Sequence, residues 1–173
     1  MGRSLNMTRL RTERVAIGAV FTTLALILSY VESMIPVFFP VPGMKLGLTN
    51  LLIVFALYFW DGKQAFIINV MRILLVTFLF GSPSTLIFSL SGCVLSFIVM
   101  MIMKKMEKFS IVGVSMAGGV FHNVGQLAAA IAVVSNTKLI YYLPPLMISG
   151  VITGFLIGIL SSEMLKRIKK IRG

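Results

Sequence analysis

The sequence predicts an all-α integral membrane protein, a bundle of six transmembrane helices that forms one domain over residues 1–173. Three observations predict it. Of the 173 residues, 58% are hydrophobic and the mean hydropathy is +1.00, whereas soluble domains are about half apolar. The apolar residues form long runs, most of them near the ~20 residues that a helix needs to cross a bilayer. The basic residues cluster between those runs.

The apolar runs give the six helices in chain order. Their expected ranges are about 15–32, 46–60, 64–80, 84–103, 112–134 and 144–163. The second and third are joined by Asp61-Gly62-Lys63, which favours an antiparallel hairpin, and both are short for a span, which favours tilt or extension by the flanking loop. No small-residue cleavage site follows the first run, so we expect a retained helix rather than a signal peptide.

The basic residues predict the orientation, because Lys and Arg are enriched in cytoplasmic loops. With the N-terminus inside, thirteen of the 16 basic residues fall on the inner side: Arg3, Arg9, Arg11, Arg14, Lys63, Lys104, Lys105, Lys108, Lys166, Arg167, Lys169, Lys170 and Arg172. Lys45 and Lys138 fall outside, and Arg72 lies within a run. Both termini are therefore predicted to be cytoplasmic, in a multi-pass protein of the bacterial cytoplasmic membrane.

The longest outer connection, residues 33–45, contains three prolines and several large apolar side chains. The prolines forbid a regular helix there, and the apolar side chains are unusual for a solvated loop. Two interpretations are open and compatible: a segment that lies in the membrane interface, or a lid over an outward-facing cavity.

The formal net charge of +11 does not indicate nucleic-acid binding. A nucleic-acid site is a continuous basic face or stripe, whereas the basic residues here are spaced as topology signals beside a membrane. We therefore expect the lipid bilayer, and no nucleic acid, among the partners.

The remaining composition leaves little room for catalysis. The only cysteine, Cys93, excludes an internal disulfide, and one cysteine with one histidine argues against a zinc site. No Walker-type phosphate loop is present, so the chain does not hydrolyse ATP itself. No carboxylate lies deep in a run, which disfavours ion coupling, and no Ser-His-Asp arrangement is apparent. We expect a protein that is not an enzyme, with no catalytic residues, metal or cofactor.

Small residues recur at helical spacing on four of the predicted helices, with Gly92 and Ser96 on the fourth and Ser115 and Gly119 on the fifth. Two further sets are the candidates for helix packing or partner docking. One set, Gly150, Gly154 and Gly158, lies on the sixth helix, and the other, Gly18, Ala19, Thr22 and Thr23, lies near the inner end of the first. Such stripes let helix backbones approach closely in a membrane. Packing within the bundle is the favoured interpretation for the sixth helix. On the first helix, docking of a partner membrane subunit is a rival interpretation.

Polar side chains interrupt otherwise apolar runs and are the candidate site. They are Asn50, Asn69, Arg72, His122, Asn123 and Gln126, with Glu32 and Lys45 at the outer mouth. With the N-terminus inside, these groups lie at or outside the membrane midplane. They are expected to line one outward-facing cavity for a ligand with anionic or carbonyl oxygens and heteroatom acceptors. The alternative is interhelical hydrogen bonding without a ligand.

Five segments carry a likeness to a known family. They are Pro-Gly-Met-Lys-Leu-Gly-Leu-Thr-Asn at 42–50, Arg-Ile-Leu at 72–74, Ser-Leu-Ser-Gly at 89–92, the segment 118–127 around His122-Asn123, and Tyr-Leu-Pro-Pro at 142–145. With them the chain resembles the Gx transporter family, also described as heptaprenyl diphosphate synthase component I. The likeness extends from the first helix to the sixth, and the first and fourth segments are specific to it.

The resemblance implies a first hypothesis. The family is similar to the substrate-binding S components of energy-coupling factor (ECF) transporters, which have six helices and an outer loop that caps the ligand. This chain would then capture a small molecule from outside through the polar residues given above. A coupling membrane subunit, docked on the first helix, and ATPases would be its partners.

The resemblance also implies a second hypothesis, in which the chain is a membrane accessory of a soluble prenyl synthase. Prenyl elongation needs Asp-rich pairs that hold Mg²⁺ on a diphosphate, whereas the acidic residues here are scattered: Glu13, Glu32, Asp61, Glu107 and Glu163. The chain cannot carry that chemistry alone. Family members are also associated with flavin- and quinone-linked electron transfer, in which this chain could be a subunit or a structural anchor.

Overall fold

The computed structural model describes residues 2–34 and 49–172. Over these ranges the chain is entirely helical, without a strand. The helices are α1 (Gly2–Met34), α2 (Asn50–Phe59), α3 (Gly62–Phe80), α4 (Pro83–Lys105), α5 (Ile111–Val134) and α6 (Leu143–Arg172), and a 3₁₀ helix, Thr137–Tyr142, precedes α6. The all-helical prediction is confirmed.

Five helical segments in the described ranges are long and apolar enough to cross a membrane. They are Val15–Glu32, Gly62–Leu79, Pro83–Lys105, Ile111–Val134 and Thr137–Ile168. Large apolar side chains stand exposed on their outer surfaces, as lipid-facing side chains do, and Phe78 is the most exposed of them. These segments fit a multi-pass membrane protein, while the orientation and the exact number of spans stay predictions.

α2 is shorter than its predicted range. The helix begins at Asn50 rather than at residue 46, and residues 46–48 lie outside the described ranges. Its ten residues rise about 15 Å, about half of the ~30 Å hydrocarbon thickness. Seven of the ten are buried, because a helix that is apolar on all sides packs inside a bundle. A sixth span at this segment therefore stays a prediction.

α1 and α6 extend beyond their predicted ranges at the two ends of the chain. α1 begins at Gly2 rather than near residue 15, and α6 continues to Arg172 rather than ending near residue 163. The predicted ranges covered only the apolar runs, whereas Arg and Lys are good helix formers. The helices therefore continue through the basic segments that flank those runs.

Hydrogen-bonding side chains fix where three other helices begin. Asp61 accepts a hydrogen bond from the backbone N–H of Gln64 at the start of α3, at 2.8 Å. Ser82 and Ser110 cap α4 and α5 in the same way, and Pro83 follows as the first residue of α4. These caps satisfy backbone donors that have no partner inside the helix.

The main core surrounds α2. Ile53, Val54, Ala56 and Leu57 of α2 pack with buried residues of four other helices: Ala65, Ile68, Phe97, Met100, Val114 and Ile157. Two hydrogen bonds donated by side chains of other helices anchor α2. Ser161 Oγ on α6 donates to the carbonyl oxygen of Leu51 at 3.2 Å, and Lys104 on α4 donates to the carbonyl oxygen of Leu57.

Glycines let α5 pack closely against α6 and α4. Gly119 and Gly150 face each other so closely that a Cβ at Gly119 would collide with the carbonyl oxygen of Gly150. A Cβ at Gly154 would lie 2.6 Å from Met116 Cα, and one at Gly158 would lie 2.7 Å from Val112 Cα. The glycine stripe of α6 therefore lies against α5, within the bundle.

Candidate functional site

Arg72 is the buried cation of the bundle. It lies on α3 with 6% of its surface exposed, one turn after Asn69. Its Nη2 donates to Asn69 Oδ1 at 2.8 Å, and its Nη1 donates to Ser29 Oγ on α1 at 3.4 Å. The predicted pairing of Asn69 and Arg72 on one helix face is thus a direct hydrogen bond, as residues spaced i, i+3 allow.

A chain of hydrogen bonds continues from Arg72 to a carboxylate. Ser29 Oγ lies 2.9 Å from Thr49 Oγ1, and Thr49 Oγ1 donates to Glu32 Oε2 at 3.4 Å. Each hydroxyl has one hydrogen. Because Thr49 donates its hydrogen to Glu32, the hydrogen bond between the two hydroxyls is donated by Ser29. The donors therefore run in one direction, from the guanidinium through two hydroxyls to the carboxylate, and bonds in such a chain polarise one another.

This hydrogen-bonded chain, here the Arg72–Glu32 network, joins three helices. It connects the end of α1, the residue before α2 and the middle of α3. Glu32 is 4% exposed, so it is buried rather than open at a mouth, and Asn50 is buried beside Thr49 at the first residue of α2. The N-terminus of α2 favours a carboxylate nearby, whereas the C-terminus of α1, to which Glu32 belongs, disfavours one, so the hydrogen bond from Thr49 helps to stabilise Glu32 there.

The polar residues of α5 point in two directions. His122 and Gln126 bond to each other, with Gln126 Nε2 at 3.0 Å from His122 Nε2. Asn123 instead uses its Nδ2 to donate to the carbonyl oxygen of Leu146 on α6, at 2.7 Å. The predicted single patch therefore divides into a His122–Gln126 pair and an Asn123 contact that ties α5 to α6.

The His122–Gln126 pair and the Arg72–Glu32 network lie in one electrostatic region. The charge of Arg72 lies close enough to Glu32 of α1, Cys93 of α4 and His122 of α5 to act on all three. The region spans α1, α3, α4 and α5 and lies in the bundle interior.

Four buried side-chain atoms have no hydrogen-bond partner among the described residues, and three of them belong to this region: Arg72 Nε, His122 Nδ1 and Gln126 Oε1. The fourth, Ser115 Oγ, belongs to a residue that packs against α6. Leaving a buried donor or acceptor unpaired costs about 1–3 kcal/mol each, and more for a charged group. The presence of three such atoms in one region marks it as the candidate binding site.

Two members of the network were not predicted from sequence. Ser29 and Thr49 have no distinctive pattern, because a lone hydroxyl in an apolar helix commonly bonds to its own backbone. Thr22 and Thr23 illustrate this behaviour, with hydroxyls that donate to Gly18 O and Ala19 O at 2.9 Å. Lys45, predicted at the mouth of the site, and most of the proline-rich connection lie outside the described residues.

A second feature lies between α1 and α3, at the ends predicted to be cytoplasmic. It is an apolar groove of about 360 Å³, lined by Val15, Gly18, Ala19, Thr22, Gln64, Ile67, Ile68 and Met71. A Cβ at Gly18 would have no described neighbour within 4 Å. Three of the four small residues predicted on α1 thus line an open groove, and Thr23 is exposed outside its lining.

The fold and the site define a multi-pass α-helical membrane protein with a buried, hydrogen-bonded polar network between its helices. Within the part of the chain that the structure describes, no group of three or more His, Cys, Asp or Glu could hold a metal ion. The chain belongs to the heptaprenyl diphosphate synthase component I family, whose model matches residues 21–164. No curated protein sequence and no solved structure matches it.

Proposed function

We propose that the protein is a membrane-embedded subunit that captures a small molecule from outside, in the manner of an ECF S component. The observation that carries this proposal is the set of three unpaired atoms, Arg72 Nε, His122 Nδ1 and Gln126 Oε1, in one buried region. Inside a membrane protein an unpaired polar group has no bulk water to bind. A bound ligand would supply the missing partners.

The donors of the site favour a ligand with acceptor oxygens. Arg72 supplies a positive charge and an unpaired N–H at Nε, while the hydrogen-bonded chain through Ser29 and Thr49 links the same guanidinium to Glu32. A carbonyl or anionic oxygen of the ligand that accepts from Arg72 Nε would supply the missing partner.

The groove between α1 and α3 is the proposed docking surface for a coupling membrane subunit. The hydroxyl of Thr22 is bonded to the carbonyl oxygen of Gly18 on its own helix, so the α1 side of the groove offers few open polar groups. Small residues of this kind let a partner helix approach closely in a bilayer. ATPases would then join through that partner.

The proposal can be tested by comparing ligand binding in two variants at neighbouring positions of α5. The purified full-length protein should gain thermal stability from a member of a panel of vitamins, flavins and isoprenoid precursors, and mass spectrometry should find a small molecule that it retains. His122→Leu should abolish that stabilisation. Asn123→Leu, which removes only the α5–α6 contact, should lower stability while retaining binding. Equal binding by wild type and His122→Leu would contradict the site.

A second candidate function is an accessory role beside a soluble prenyl synthase, favoured by the description of the family. The chain itself would contribute membrane attachment or handling of the lipid product. Co-purification with a soluble, Asp-rich prenyl synthase and stimulation of that enzyme would favour this role. A protein that neither binds a small molecule nor stimulates a synthase would instead be a structural anchor of a membrane complex.

A further inference from the structure

The backbones of α4 and α5 cross in contact at Gly92. A Cβ at Gly92 would lie 2.8 Å from the carbonyl oxygen of His122, 2.9 Å from Gln126 Cγ and 3.0 Å from His122 Nδ1. On the facing helix, a Cβ at Gly125 would lie 2.7 Å from the carbonyl oxygen of Ser91. Neither position has room for a side chain, and the His122–Gln126 pair packs directly on Gly92.

The hydrogen bond within the pair decides which nitrogen of His122 carries the hydrogen. A side-chain amide nitrogen is only a donor, so Gln126 Nε2 donates and His122 Nε2, 3.0 Å away, accepts. A neutral imidazole has one hydrogen, which then lies on Nδ1.

The backbone of Gly92 lies against the pair beside the other ring nitrogen. Because a Cβ at Gly92 would lie 3.0 Å from His122 Nδ1 and 2.9 Å from Gln126 Cγ, a side chain at this position would press on both residues of the pair. The missing side chain therefore leaves the room in which His122 and Gln126 bond to each other.

We propose that Gly92 is a positioning residue whose missing side chain lets Gln126 donate to His122 Nε2, which holds His122 in the Nδ1–H tautomer and leaves Gln126 Oε1 as the open acceptor of the pair. The proposed site would then recognise its ligand partly by an N–H or O–H group of the ligand that donates to Gln126 Oε1. Only this last step rests on the proposed function. The position of Gly92 and the tautomer are properties of the unliganded protein.

The tautomer can be measured directly, because His122 is the only histidine of the chain. In the full-length protein labelled with ¹⁵N-histidine, the ring nitrogens seen by NMR belong to one residue. The spectrum should show hydrogen on Nδ1 and none on Nε2. In Gln126→Glu a carboxylate replaces the amide donor, so the hydrogen should move to Nε2 or both nitrogens should carry one.

A matched pair of glycine variants separates positioning from packing. Gly92→Ala should shift the ring ¹⁵N signals or mix the tautomers. Gly119→Ala, which crowds Gly150 of α6 and not α4, should lower stability and leave those signals as in wild type. If Gly92→Ala does not fold, the proposed tautomer is still tested by the wild-type spectrum and by the change expected in the spectrum of Gln126→Glu.

Two results would overturn the inference: a wild-type spectrum with hydrogen on Nε2, or equal shifts of the His122 signals in the two glycine variants. Neither result depends on finding a ligand. A protein with the expected tautomer that retains no small molecule would instead contradict the proposed function and leave the role of Gly92 intact.

Discussion

Ser29 on α1 and Thr49 before α2 face each other with their hydroxyl oxygens 2.9 Å apart, although 20 residues separate them in the chain. Their contact completes the donor chain from Arg72 to Glu32. A buried cation and a buried carboxylate are thereby joined through two hydroxyls, and α1, α2 and α3 are held at one level of the bundle.

The two ends of this network should be coupled in stability. Arg72→Met removes the cation that donates to Ser29, and a buried hydrogen bond to a charged group contributes about 1.5–3 kcal/mol. The double variant Arg72→Met/Glu32→Gln should cost less than the sum of the two single variants. Unfolding free energies measured in mild detergent give the coupling energy between the two positions. If the effects of the two single variants simply add in the double variant, the network is contradicted.

Thr153→Val is the control for those measurements. Its hydroxyl donates to the carbonyl oxygen of Ser149 on its own helix, at 2.9 Å, and lies outside the network. We expect a change within about 0.5 kcal/mol, as for substitutions away from critical features.

Packing of α5 against α6 should depend on Gly119. Gly119→Ala drives a methyl group into the carbonyl oxygen of Gly150, and overpacking of this kind costs about 1–3 kcal/mol. Gly18→Ala is the matched control, because no described atom lies within 4 Å of the added methyl group. It should be neutral or stabilising by up to about 1 kcal/mol, since Ala favours helix over Gly. Thermal unfolding of the two variants checks the contrast.

Lys104 should stabilise the C-terminal end of α2. It donates to the Leu57 carbonyl oxygen, and its ammonium lies 5.1 Å from the centre of the Tyr58 ring. Lys104→Met removes a charged hydrogen bond of about 1.5–3 kcal/mol and a cation–π contact. Lys105→Met, at the exposed neighbouring position, should have little effect. Equal losses in the two variants would refute the assignment.

The predicted orientation can be tested with single cysteines in a Cys93→Ser background. Lys138 and Lys108 are both exposed and lie at opposite ends of α5. With the N-terminus inside, Lys138→Cys in intact cells should react with a membrane-impermeant maleimide, whereas Lys108→Cys should react only after lysis. The reverse pattern would invert the topology.

The groove between α1 and α3 should be needed for a membrane partner and not for folding. Gly18→Leu fills the groove, so it should reduce recovery of co-purified membrane subunits several-fold at unchanged thermal stability. Thr23→Leu, on the exposed side of the same helix outside the groove lining, is the control. Undiminished recovery with Gly18→Leu would exclude the groove as the docking surface.

Some of the site could be predicted because its contacts are local. Asn69 and Arg72, and His122 and Gln126, are one turn apart on a helix, so their spacing alone puts them within reach. The same reasoning could not separate Asn123 from its neighbours, since its partner is a backbone carbonyl on α6. Nor could it find Ser29 and Thr49, whose roles depend on how α1 meets α2.

The sequence by itself determined that this is an all-helical protein with membrane-spanning segments and buried polar side chains, because apolar run length and composition act locally along the chain. Only the tertiary structure decided that α2 is a short central helix, that two hydroxyls link Arg72 to Glu32, and that Gly92 packs on the His122–Gln126 pair. These features arise where helices cross, and the crossing points are set by close contacts of glycines and side chains on different helices.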